Sequence, residues 1–60
     1  MMITLNGDPH DLPRPVTISE LLAQMQIDAG RVAVELNLVV IKRTAFDHTM
    51  INEGDEVEIV

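Results

Sequence analysis

Asn52-Glu53-Gly54-Asp55-Glu56-Val57-Glu58-Ile59-Val60 is the stretch on which the reading of this chain turns. Asn52 to Asp55 gather turn-forming residues, and Gly54 takes positive φ without steric cost. From Glu56 the residues alternate acid, apolar, acid, apolar, apolar. A period of two places Val57 and Ile59 on one face and Glu56, Glu58 and Val60 on the other, so the segment reads as a half-buried strand.

Working outward, the same alternation recurs in Val32-Ala33-Val34-Glu35-Leu36-Asn37, with Val32, Val34 and Leu36 on one side, which predicts a central strand. Asn37 then makes a turn. The run Leu38-Val39-Val40-Ile41 is too short for a helix and β-branched at three of four positions, so it predicts a further strand ending at Lys42-Arg43. Thr44 to Met50 shows neither period clearly and predicts a helical turn near Phe46, after which Ile51 returns to the core.

At the other end, Met2 to Leu5 predicts a short strand with Ile3 and Leu5 inward, and Asn6-Gly7 is a strong two-residue hairpin signal. The returning strand, about Asp8 to Leu12, contains Pro9 and therefore belongs at a sheet edge. Pro13 and Pro15 end it. Thr17-Ile18-Ser19-Glu20 fits a capping box, and Ile18, Leu21, Leu22 and Met25 form one apolar stripe. These predict a helix over about residues 18–27, closed by Gly30 in a left-handed conformation.

A hairpin, a crossover helix and a parallel strand in a mixed sheet place one main helix across four to five strands. This is an α+β chain of β-grasp, or ubiquitin-like, architecture, with residues 1–60 as a single domain. Sixty residues bury only about 60% of the unfolded chain's surface, so the core is small. With 47% apolar residues and Phe46 the only aromatic, that core is built from Leu, Ile, Val and Met. No cysteine is present, which excludes disulfides, thiolate metal ligands and a cysteine nucleophile and fits a cytoplasmic setting. The longest apolar run falls far short of the roughly 20 residues of a membrane span. A net charge of −6 opposes phosphate backbones, so neither nucleic acid nor membrane is expected as a ligand.

No catalytic constellation emerges. His10-Asp11 and Asp47-His48 are neighbours whose side chains diverge on extended backbone, and Ser19 is explained by its place in the first helical turn. Neither a catalytic residue, a bound cofactor nor a metal is expected. Glu53, Asp55, Glu56 and Glu58 read either as a solvated turn and strand face or as a docking patch for a basic partner. Alternation through Leu38, Val39, Val40 and Ile41 leaves about two large apolar side chains on the outer face, joined there by Ala33 and Val60. Ala33, Leu38, Val39, Val40, Ile41, Glu56, Glu58 and Val60 are accordingly the candidate partner-binding residues.

Asn6-Gly7 in the opening hairpin, Thr17-Ile18-Ser19-Glu20-Leu21-Leu22 at the helix start, Val32 to Asn37 and Glu53 to Val60 together resemble the ThiS sulfur carriers of thiamine biosynthesis. Arg43 and Phe46 stand where that family often has a basic and an aromatic residue. Leu38 stands where it usually has a small or polar turn residue, and Lys42 where it often has proline. The resemblance implies a carrier rather than an enzyme. A ThiF-type adenylating enzyme consumes ATP to activate a terminal glycine carboxylate, sulfur replaces the adenylate as a thiocarboxylate, and thiazole synthase takes the sulfur. The family's Gly-Gly terminus does not follow Val60, so the expectation is a 60-residue chain that folds but does not itself carry sulfur. The alternatives are the small subunit of molybdopterin synthase, similar in fold and tail chemistry, and a β-grasp binding or regulatory module without tail chemistry.

Overall fold

The computed structural model describes residues 1–60. Strands β1 (Met2–Leu5) and β2 (Asp8–Asp11) form the opening hairpin, and β3 (Val16–Thr17) leads into helix α1 (Ile18–Gln24). After a 3₁₀ turn at Ala29–Arg31 come β4 (Val34–Leu36) and β5 (Val39–Ile41). A second 3₁₀ turn, Arg43–Ala45, precedes β6 (Met50–Ile51) and β7 (Glu56–Ile59). The main sheet has the order β2-β1-β7-β4-β5, with β1 and β7 parallel and the other pairs antiparallel. Helix α1 lies across one face, giving the β-grasp arrangement the sequence predicts.

The core is the sheet's inner face closed by the helix: Ile3, Leu5, Val34 and Val57 meet Ile18, Leu21 and Leu22, with Leu12, Val16, Phe46 and Ile51 filling the ends. The inward positions expected from period-two alternation at β1, β4 and β7 are all buried or half-buried. Met25, the last member of the helical stripe, is 36% exposed, because the helix ends before it reaches the sheet's cover.

Several expectations are corrected. Helix α1 stops at Gln24, three residues earlier than the stripe suggests, and Gly30 does not close it. The closing residue is Gln26, at φ 58°. Its N–H donates to the Ala23 carbonyl at 3.1 Å and the Ile27 N–H donates to the Leu22 carbonyl at 2.9 Å, a complete Schellman motif built without glycine. Gly30 instead sits in the 3₁₀ turn, its N–H held by the Asp28 carboxylate at 2.9 Å. Leu38 is not in the strand. Asn37 (φ 51°) and Leu38 (φ 69°) form the two-residue turn between β4 and β5, the same left-handed pair as Asn6 (φ 49°) and Gly7 (φ 86°) in the first hairpin. A leucine in that conformation costs roughly 1–2 kcal/mol that glycine would not. Strands β3 and β6 form a separate two-stranded sheet that alternation does not predict, since two residues per strand are too few for a period to register. β7 is the middle strand of the main sheet, and β2 and β5 are its edges.

At the start of α1, Thr17 Oγ1 accepts the Glu20 N–H at 3.0 Å and the Glu20 carboxylate accepts the Thr17 N–H at 2.8 Å. The capping box is therefore present as the sequence predicts. The Ser19 hydroxyl donates to the Asp47 carboxylate, and Ile18 and Ser19 donate backbone N–H groups to Thr49 and Phe46, which seats the helix start on the segment leading to β6.

Candidate functional site

The helix covers one face of the main sheet and leaves the other bare. Register and alternation assign the bare face. On β4 it carries Glu35 with Ala33 before it, on β5 Val40, on β7 Glu56 and Glu58 with Val60 after it, and on β1 Thr4. Ala33 and Val60 exchange both backbone hydrogen bonds, Ala33 N–H to Val60 C=O at 2.9 Å and Val60 N–H to Ala33 C=O at 3.0 Å. One step along, Glu58 faces Glu35 directly, and Glu35 faces Val40 on its other side.

Five of the eight candidate residues, Ala33, Val40, Glu56, Glu58 and Val60, are thus gathered on this face. Three are not. Val39 pairs with Leu36 and Ile41 with Val34, so both belong to the inner face. Ile41 is half-buried against the core, whereas Val39 is 60% exposed because no helix reaches over β5. Leu38, 78% exposed, projects from the turn at the tip of the hairpin.

The surface formed is apolar at its margin and acidic through its middle. Val40 and Val60 are 68% and 85% exposed. Glu35 and Glu58 are like charges at directly opposed positions, an arrangement that destabilises an antiparallel pair. No cation answers them: the ion pairs of the molecule are the N-terminal ammonium with Asp11 at 3.3 Å and Arg14 with Glu20 at 3.9 Å. Arg43 is occupied elsewhere, its Nε donating to the Ala29 carbonyl at 2.9 Å. Glu35 lies on the same face, although it is not among the eight candidates. Its signal was available, since alternation through Val32 to Asn37 places it beside Ala33, but its neighbour Glu58 comes only with the register.

Two side chains fix β7, and with it the face. Asn6 Oδ1 accepts the Ile59 N–H at 2.7 Å, and Asn37 Oδ1 accepts the Glu56 N–H at 2.9 Å while its Nδ2 donates to Asp55 at 3.1 Å. No group of three His, Asp or Glu side chains converges as a metal site. The histidines lie apart from this face: His10 pairs with Ile3 on β1, and His48 is exposed in the turn before β6. No helix is long and apolar enough to cross a membrane. What the arrangement offers is one sheet face on which exposed apolar side chains stand beside acidic ones.

The fold is matched closely by a crystal structure of thiamine biosynthesis protein ThiS from Geobacter metallireducens. The TM-score is 0.93 at 38% identity, covering 100% of this chain and 91% of that one. Thiazole synthase of Paramagnetospirillum magneticum is 32% identical over 60 residues, but this chain spans only 18% of that protein's length. Protein ycf40 of Pyropia yezoensis is 34% identical over 58 residues, 97% of this chain and 82% of that one. The family model described as ThiS matches residues 3–60. By that match over nearly its whole length, and by the fold it shares with a ThiS protein, the chain belongs to the ThiS family.

Proposed function

We propose that this protein serves as the sulfur carrier of thiazole formation in thiamine biosynthesis, with sulfur held as a thiocarboxylate on a glycine that ends an extension beyond Val60. The observation that carries the reading is the ThiS family match over residues 3–60. The likeness to a thiazole synthase supports the partner, since in that relative a segment similar to this chain shares one polypeptide with a larger protein of that name.

The chemistry divides between carrier and partners. A carboxylate is a poor acyl donor because its leaving group would be oxide. A ThiF-type enzyme joins it to the α-phosphate of ATP with release of pyrophosphate, and a sulfur nucleophile then displaces AMP. The carrier supplies recognition through its bare sheet face, where Ala33, Val40 and Val60 give apolar contact and Glu35, Glu56 and Glu58 steer a basic surface. It also supplies reach. Val60 is held to Ala33 in both directions, so a carboxylate at that residue is tied to the sheet. A flexible extension of about six residues at roughly 3.3 Å each projects a terminal glycine some 20 Å from the sheet, and glycine's lack of a Cβ lets it enter a narrow site.

The test supplies ATP and a ThiF-type enzyme to the chain ending at Val60 and to one extended to Gly-Gly, and reads intact mass. Adenylate and thiocarboxylate are expected on the extended chain alone. Their absence from the extended chain, or their appearance on the chain ending at Val60, overturns this reading.

A further inference from the structure

The two edges of the main sheet are built differently. The β2 edge, Asp8-Pro9-His10-Asp11, carries a proline that cannot donate and two carboxylates, devices that discourage strand pairing. The β5 edge, Val39-Val40-Ile41, carries neither.

Its backbone is also aimed outward. Ala33 exchanges hydrogen bonds with Val60 on the β7 side, so by alternation Glu35 turns its own N–H and C=O to β7 as well. Glu35 therefore gives none to β5, and its β5 neighbour Val40 points its N–H and C=O away from the sheet, to the open edge. Val39 and Val40 are 60% and 68% exposed, and Leu38, held at φ 69° and 78% exposed, prolongs the apolar strip past the end of the strand.

We propose that the open edge of β5 is a strand-addition site, at which an extended segment of the thiazole synthase partner hydrogen-bonds to Val40 and sets a basic side chain across it toward Glu35. The inference rests on the carrier reading for the partner's identity and adds the mode of contact. Charge selects the occupant. In the row Glu58, Glu35, Val40, two like charges meet without a cation, and the next position outward is the incoming strand. A Lys or Arg there lies with its stem along Val40 and its charged head toward Glu35. A second copy of this chain fits less well, since each carries a net charge of −6 and brings acid where base is wanted.

The test is amide hydrogen exchange of the 60-residue chain, free and with thiazole synthase, beside the affinities of Val40→Pro and Val40→Thr. Proline removes the outward N–H while leaving every bond between β4 and β5 in place, and threonine keeps the N–H while altering the side chain. The expected result is at least tenfold slower exchange at Val40 in the complex, at least tenfold weaker binding by Val40→Pro, and binding within threefold of the parent by Val40→Thr. A complex of parent affinity in which Val40 exchanges as in the free chain overturns strand addition and leaves the carrier reading standing. Failure of any complex to form overturns both. Protection at Val40 in the free chain that grows with its concentration assigns the edge to a second copy and overturns the proposed occupant.

Discussion

Asn6 and Asn37 hold the same strand from opposite sides. Each is the first residue of a left-handed hairpin turn, at φ 49° and 51°, and each uses its side-chain oxygen to accept a backbone N–H of β7, from Ile59 at 2.7 Å and from Glu56 at 2.9 Å. The turn that folds each outer hairpin is thus also the clamp that fixes the middle strand between them.

Replacing either asparagine with glycine keeps the positive φ and removes the clamp. Asn6→Gly is expected to destabilise the fold by about 1 kcal/mol, the net worth of one such hydrogen bond, and Asn37→Gly, which also loses the bond to Asp55, by about 1–2 kcal/mol. Asn37→Ala loses the left-handed tolerance as well and costs about 1 kcal/mol more. Urea midpoints at constant m-value measure this, and an unchanged midpoint for both glycine variants removes the clamp from the account.

Leu38→Asn is expected to move stability and binding in opposite directions. Asparagine adopts φ near 69° readily, and an exposed leucine leaves no cavity, so the variant gains about 0.5–1 kcal/mol. Loss of the apolar tip should weaken the proposed complex with thiazole synthase. A variant no more stable than the parent shows that the turn accommodates leucine without strain.

Gln26→Gly tests the helix end. Gln26 is the left-handed residue of the Schellman motif, and glycine there relieves about 1 kcal/mol of backbone strain, reduced by a few tenths through the greater freedom of the unfolded chain. The melting temperature should rise by several degrees for a domain of this size. A fall would show that the Gln26 side chain contributes more than its backbone costs.

The capping box carries a pH signature. The Thr17 N–H holds the Glu20 carboxyl below the ordinary glutamate range, aided by the Thr17 hydroxyl and Arg14 and opposed by partial desolvation. A depressed folded-state value contributes stability that is present above the unfolded value of about 4.3 and is lost as pH falls through the folded value. Thr17→Ala should cost on the order of 1 kcal/mol at neutral pH. The stability difference between the parent and Glu20→Gln should shrink as acid is added below about pH 4.3. A difference that stays constant from pH 7 to pH 2 excludes the charged carboxylate as the capping group.

Glu58→Lys separates what the acidic row does for the fold from what it does for a partner. Opposite Glu35, a lysine turns a like-charge pair into an attractive one and should stabilise by roughly 0.2–1 kcal/mol. Together with Glu56→Lys it should slow association with the proposed ThiF-type partner, most strongly at low salt. Equal association rates at low ionic strength place the docking face elsewhere.

The parts of the fold that were legible in the sequence are those where one physical signal acts alone. Val57 and Ile59 announce an inward face by alternation, and Thr17 with Glu20 announces a helix start by spacing. Gln26 and Leu38 were illegible because both adopt left-handed backbone that their residue types disfavour, imposed by the chain on either side. Glu35 as a member of the acidic row, and the second roles of Asn6 and Asn37, depend on which strands become neighbours. No local pattern encodes that β7 separates β1 from β4. The same limit assigned Val39 and Ile41 to a surface that the register divides between two faces.

That placement of β7 has a consequence in time. Before residues 56–59 are in place, the β1–β2 hairpin and the β4–β5 hairpin have no strand in common, and Thr4 meets Glu56 only across almost the full length of the chain. Pairings of such long separation are slow to form. On a ribosome, the sheet can close only once residues 56–59 have emerged.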